Sequence, residues 1–227
     1  MKISVAIFLH FFLQTMRKFT TIILLFCVST LFCLPTKAQN WDIDFLRKVN
    51  QSSSTGWRNY SAFISNTTYA TVVAVPLILG TTALIQHNDE LLKDALYVGV
   101  SLGVTTALTY GLKYSINRER PYDTYSGQLY VPRPESSASF PSGHTSIAFA
   151  TATSLSLKYP KWYVIVPSYT WAVSVGYSRM NLGVHYPSDV FAGAVLGAGS
   201  AYLTYKVNDW FWKKHENKKL ITAWQPF

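Results

Sequence analysis

Five stretches of this 227-residue chain contain no Asp, Glu, Lys or Arg: 60–86, 95–112, 145–157, 162–178 and 190–205. A bilayer core takes ~20 apolar residues of helix to cross. Inside it, only helices and closed barrels satisfy every backbone N–H and C=O. Strand signals are poor, so the runs predict an all-α fold, a membrane-embedded bundle of about five transmembrane helices. The shorter runs, 145–157 above all, are rich in Ala, Ser and Thr. They would extend into flanking polar residues or bury their hydroxyl faces against neighbouring helices. Charged residues make up only 14% of the chain, against roughly 25% in an ordinary soluble protein. A soluble helical bundle is the competing reading, and uninterrupted stretches such as 69–86 weigh against it.

The formal charge of +9 would suit a nucleic-acid binder, but Lys and Arg sit at the ends of the apolar runs, as membrane-flanking charges do. The expected partner is therefore a membrane and not nucleic acid. Residues 1–38 read as a signal peptide or an uncleaved anchor helix. Arg17-Lys18 precede an apolar run over 19–34, and Thr36-Lys37-Ala38 offers small residues where a signal peptidase reads. Met16 is an alternative start. The two cysteines, Cys27 and Cys33, fall inside that apolar run and read as hydrophobic filler. Residues 39–59 predict either an amphipathic segment on the membrane surface or a plain linker, followed by a Ser-rich turn. The bundle is expected over 60–207, and 208–227 reads as a basic cytoplasmic tail, with Trp210 and Trp212 beside its lysines. That arrangement places 113–144 and 179–189 together on the opposite, outer face.

Three polar clusters fall at run ends on that face. In Ser178-Arg179-Met-Asn-Leu-Gly-Val-His185-Tyr-Pro187-Ser-Asp189, Pro187 suits the first turn of a helix. A helix beginning near His185 would carry Asp189 one turn on. The carboxylate could then accept the Nδ1 proton and leave Nε2 as base or nucleophile. By itself, His-x-x-x-Asp is more often a surface pair. The second cluster, Lys113 to Arg120-Pro121, could be snorkelling helix ends. The third, Pro141-Ser142-Gly143-His144, could be a plain N-cap turn with a satisfied histidine. Together they make a phosphate site. A helix start at Ser142 and Gly143 offers N–H groups and a favourable dipole end, and Lys113, Arg120 and Arg179 supply three positive charges. Two histidines divide nucleophile from acid. No side-chain cluster has metal-ligand spacing, so neither metal nor cofactor is expected.

The pattern Lys113-x6-Arg120-Pro121, Pro141-Ser142-Gly143-His144 and Ser178-Arg179-x5-His185-x3-Asp189 resembles the complete signature of the type 2 phosphatidic acid phosphatase superfamily, and covers about a third of the chain. The resemblance implies a helical bundle with a loop-capped site. It implies that His185 attacks phosphorus to form a phosphohistidine, that Asp189 orients it, and that His144 protonates the leaving oxygen and later activates water. Lys113, Arg120, Ser142, Gly143 and Arg179 would bind the phosphoryl group. Within the superfamily the apolar runs favour the membrane lipid phosphatases, and the leader ahead of a five-run core is similar to lipid A phosphatases. The expected setting is a bacterial inner membrane, with the site and the 39–59 segment facing the periplasm. Candidate substrates are lipid A, undecaprenyl diphosphate and phosphatidylglycerol phosphate. The alternatives are a soluble secreted acid phosphatase of the same superfamily and a non-catalytic membrane protein that binds or transports lipid. The 122–139 loop, with Arg133 and Glu135, is expected to shape substrate choice, while Arg118 either contacts a second phosphate or faces water.

Overall fold

The computed structural model describes the backbone of residues 37–223 and the side chains of 41–213. The expected leader lies almost wholly outside the described residues. The compact unit discussed below begins at Asp42. The described chain forms helices α1 (Lys37–Gln51), α2 (Thr55–Ile85), α3 (Asp89–Ile116), α4 (Pro121–Thr124), α5 (Gly143–Lys158), α6 (Trp162–Asn181) and α7 (Pro187–Ala223). No strand occurs among the described residues.

The residues flanking the apolar runs set the helix limits. Ser54 caps α2 by accepting the Trp57 N–H, so that helix starts ahead of its apolar run. Asn88 accepts the Leu91 N–H at 3.1 Å and opens α3, whose first turn carries Asp89 and Glu90 against the positive end of the helix dipole. Asn117, at φ 45°, ends α3 in the left-handed conformation that Asn tolerates. Pro187 occupies the first position of α7, where its missing N–H costs nothing. That helix then runs on to Ala223, through most of the residues expected as a separate tail.

Among the described residues, two segments are long and apolar enough to cross a bilayer by themselves, Thr55–Ile85 and Asp89–Thr124. The other helices are less apolar, and α5 explains why. It is the central rod, packed against α7, α6, α3 and α2. Its buried surface is Thr145, Ser146, Ala148, Ala150, Thr151, Ala152, Thr153 and Ser154. Side chains this small allow close backbone approach, and the hydroxyls find partners across helices. Ser154 donates to Ser101 at 3.0 Å, and Thr153 pairs with Tyr169 at 2.9 Å. On the facing side of α7 a Cβ at Gly197 would lie 2.0 Å from the Ser146 carbonyl oxygen, so only glycine fits there.

The outward faces are inverted relative to a soluble protein. Phe63, Leu77 and Leu84 of α2, Leu96 and Val100 of α3, and Phe191 and Leu203 of α7 are all exposed. A continuous apolar exterior around a hydroxyl-rich interior is the pattern of a membrane bundle. It rules against the soluble reading.

Helix α1 is amphipathic, and part of its apolar side, Ile43 and Leu46, is buried in protein while Trp41 and Phe45 stay exposed. Ile43 and Leu46 form a small core with Tyr186, covered by Tyr125, Leu129 and Met180. Asn50 then donates to the carbonyls of Asn181 at 2.8 Å and Tyr130 at 2.9 Å. α1 therefore braces the loop between α6 and α7.

Candidate active site

The end of α3, the start of α5, the end of α6 and the start of α7 converge at one end of the bundle, and every predicted site residue lies there. The α6–α7 turn is built around Gly183, at φ 71°. A Cβ there would meet the Tyr130 carbonyl oxygen at 2.8 Å, so glycine is required both by conformation and by space. The turn delivers His185 two residues before α7 begins, slightly earlier than a helix starting at His185 would have done.

His185 is only 1% exposed. Its Nδ1 faces Asp189 Oδ2 at 3.5 Å, and its Nε2 faces an Arg120 amino nitrogen at 3.5 Å. The Nδ1 contact is longer than a hydrogen bond, and Nδ1 has no closer partner. Catalytic hydrogen bonds are often long before substrate binds. The two nitrogens thus point to different tasks, one towards a carboxylate and the other towards a cationic wall. Burial, then the charges of Arg120, Arg179 and Lys113, push the imidazole well below its usual basicity. Both causes favour the neutral form of the His185 imidazole.

Arg120 and Arg179 are almost wholly buried. The Arg120 guanidinium donates to the carbonyls of Ser137 at 2.7 Å and Val184 at 2.8 Å, which fixes its plane. Arg179 donates to Ser65 on α2 at 2.5 Å. Between them lies Glu135, which pairs with Arg120 at 2.8 Å and with Arg179 through its other oxygen. Burial alone would raise the Glu135 carboxyl, but Arg179 and Arg120 hold it down at about 2. One carboxylate bridging two guanidiniums stands where two oxygens of a phosphoryl group would be held. Lys113 donates to the Ala138 carbonyl. Its side chain lines a cavity of about 80 Å³ together with Gly143, His144, His185, Glu135 and Tyr69. His144 stacks edge-on against Tyr69, with ring centroids 4.8 Å apart.

Two expectations need correction. The Ser142 N–H does not point into the cavity. It donates to the Asp189 carbonyl at 3.0 Å, and the Ser142 hydroxyl pairs with Thr145 at 2.9 Å. Ser142 therefore ties the second cluster to the third, and the amides available to an anion begin at Gly143. Arg118, its side chain 26% exposed, is already engaged, pairing with Asp189 at 2.7 Å and with Asp42 at 2.9 Å. Ser139 also donates to Asp189, at 2.5 Å. Asp42 and Ser139 had no signal in the sequence, since each acts on a partner far along the chain. Glu135 was singled out only as a loop residue.

A second, open cavity of about 580 Å³ adjoins the first and shares Tyr69, Glu135 and His144 with it. Arg133 lies on its wall, so the 122–139 loop does line the approach to the two histidines. Among the described residues no group of three or more His, Cys, Asp or Glu side chains could hold a metal ion.

The sequence model of the PAP2 superfamily matches residues 94–213. An undecaprenyl-diphosphatase from Sulfolobus acidocaldarius is 32% identical over 126 residues, 56% of this chain and 61% of the relative. A lipid A 1-phosphatase from Porphyromonas gingivalis is 36% identical over 122 residues, 52% of this chain but only 24% of the relative. The chain thus spans less than two thirds of either relative. Among solved structures, Aquifex aeolicus LpxE superposes with a TM-score of 0.62 at 25% identity, covering 73% of this chain and 95% of that one. A transmembrane PAP2-type phosphatidylglycerolphosphate phosphatase from Bacillus subtilis superposes at 0.69 with 24% identity, covering 84% and 95%.

Proposed function

Because the chain belongs to the PAP2 superfamily, we propose that it is a metal-independent lipid phosphate phosphatase that works through a phosphohistidine. The observation that carries this reading is a single cavity lined by Lys113, His144 and His185, with Arg120 at 3.5 Å from His185 Nε2.

In the first step Nε2 of His185 attacks phosphorus, the bond from phosphorus to the lipid oxygen breaks, and His144 gives that oxygen a proton. Asp189 accepts a hydrogen bond from Nδ1–H and stabilises the ring as it becomes cationic. Lys113, Arg120, Arg179 and the amides from Gly143 onward hold the phosphoryl oxygens and the charge that develops on them. Glu135 has to give way as the phosphoryl group takes its place between the guanidiniums. In the second step water attacks phosphorus, His144 accepts its proton, the P–N bond breaks, and inorganic phosphate leaves. Three fixed cations supply the charge neutralisation that a metal provides elsewhere.

The substrate class is a membrane lipid bearing a terminal phosphate or diphosphate: lipid A, undecaprenyl diphosphate or phosphatidylglycerol phosphate. The names of the relatives support this choice. The site would face the periplasm from a bacterial inner membrane. A non-catalytic lipid binder would need the basic residues but not the two histidines and the aspartate.

The test is phosphate release by the purified protein in detergent, with chelator present, from each of the three lipids. Release from at least one lipid is expected, unchanged by chelator and abolished in His185→Ala. His144→Ala should lose ~10²–10⁴-fold in rate. Equal release by wild type and His185→Ala would refute the reading, and loss of activity in chelator would refute its metal-free chemistry.

A further inference from the structure

The aspartate that faces the histidine is itself held by groups to which the three signature patterns assign no role. Asp189 is fully buried. Its Oδ2 faces His185 and accepts from the Ser139 hydroxyl at 2.5 Å and the Tyr186 N–H at 3.0 Å. Its Oδ1 accepts from Arg118 at 2.7 Å. The other amino group of Arg118 donates to Asp42 Oδ2 at 2.9 Å. The guanidinium carbon lies 4.0 Å from the Tyr186 ring centroid. Asp42 Oδ1 in turn accepts the Ser188 N–H at 2.9 Å across 146 residues of sequence, capping α7 one residue before Asp189. Asp42 also takes the Ser188 hydroxyl proton.

We propose that Asp42 and Arg118 are positioning residues for the reaction: helix α1 reaches over the α6–α7 turn and, through Arg118, sets the aim of Asp189 at His185. This inference rests on the reading of His185 as the nucleophile.

The physical case has three parts. A carboxylate can turn about its terminal torsion, which is broad and two-fold. Gripping Oδ1 from one side and Oδ2 from the other leaves one orientation, with Oδ2 towards Nδ1. A lone buried carboxylate is also costly to keep ionised, and Arg118 supplies the opposite charge that favours the ionised Asp189, the form that accepts a hydrogen bond from the imidazole Nδ1–H. Arg118 is held in turn on both faces of its function. Asp42 takes one amino group, the Tyr186 ring covers its plane, and Ile43 and Leu46 anchor α1 against that same ring. Groups that orient a catalytic side chain through one intermediary typically change activity by ~10–100-fold when removed. They do so without touching substrate, so their signature is a fall in kcat with little change in KM.

The experiment compares kcat and KM for wild type, Asp42→Asn, Arg118→Ala, Arg118→Lys and the double variant Asp42→Asn/Arg118→Ala, on whichever lipid the wild type hydrolyses. His185→Ala serves as the dead reference, and Tm in detergent is recorded for each protein. The expected result is a ~10–100-fold loss of kcat in Arg118→Ala and a smaller loss in Asp42→Asn. KM should stay within about two-fold in each. The double variant should be no worse than Arg118→Ala alone, because both substitutions break one chain of contacts. Added guanidinium should restore part of the Arg118→Ala activity, and Arg118→Lys should retain part of it, which a purely structural role would not produce. If Arg118→Ala does not fold, Asp42→Asn and Arg118→Lys, which preserve shape, give the same reading. Wild-type kcat in folded Arg118→Ala, or losses that simply multiply in the double variant, would overturn the inference while leaving the phosphatase reading intact. A wild type that releases no phosphate from any of the three lipids would overturn that reading and this inference with it.

Discussion

His185 and Glu135 both lose stability to acid, each in its own window of pH. The imidazole is pushed below its ordinary value by burial and then by Arg120, Arg179 and Lys113. The unfolded chain takes up a proton there near ~6.5, while the folded protein resists it. That site therefore costs stability as pH falls below ~6.5, and it leaves the folded nucleophile neutral in the same range. The acid limb of kcat/KM for the free protein should accordingly lie below ~6.5, and a limb at the ordinary histidine value would contradict the assignment of a neutral, buried nucleophile. Glu135 has its folded value lowered to about 2 from 4.5. Its contribution is complete above the unfolded value and fades only as pH drops towards 2, so the Arg120–Glu135–Arg179 bridge should not titrate anywhere between roughly pH 5 and 8. Replacing Glu135 by Gln removes a negative charge that raises the His185 imidazole, so the acid limb should move lower still, as a pH–rate profile of the variant would report. At this scale the sequence was most legible, because Lys113, Arg120, His144, Arg179, His185 and Asp189 sit in three local patterns. Ser142 was read as an anion donor because its bond to the Asp189 carbonyl spans two of those patterns. Asp42 was invisible for a similar reason, since its partners Arg118 and Ser188 lie in later segments.

Helix α5 carries the packing on which the site depends. As a short, hydroxyl-rich run it looked marginal for crossing a membrane. In the bundle it is central, and its small residues admit neighbours that larger ones would exclude. Gly193 and Gly197 of α7 lie directly against it. A Cβ at Gly193 would come 2.7 Å from the Ser142 carbonyl oxygen, and one at Gly197 would come 2.0 Å from that of Ser146. Neither obstacle is the end of a flexible side chain, so the helices would have to separate. Gly197→Ala should lower stability by ~1–3 kcal/mol or more, measured as a fall in Tm in detergent. Gly199→Ala, two residues along, meets nothing within 4 Å and should be neutral or slightly stabilising. Equal Tm values for the two variants would refute the close-packed account. The helix order was readable from the apolar runs and their caps. The destination of α1 was not, because an amphipathic stripe tells which residues are buried but not whether lipid or protein covers them.

At the largest scale, residues 42–213 form a bundle turned inside out, with hydroxyls bonded across its interior and apolar side chains on its exterior. Such a protein should partition into detergent and precipitate without it, and recovery in the aqueous phase would contradict the membrane assignment. The bundle brings four helix ends to one side and closes them with the 122–139 loop, so Lys113, Gly143, His144 and His185, far apart in the sequence, share one pocket. The function proposed for that pocket is transfer of phosphorus to His185 and then to water. Rapid quenching of the protein with radiolabelled lipid phosphate in detergent tests this most directly. The account predicts a covalent phosphate on the wild type that survives alkali, is lost in acid, maps to His185, and is missing from His185→Ala. A phosphoprotein whose label persists in His185→Ala, or full turnover by that variant, would contradict it.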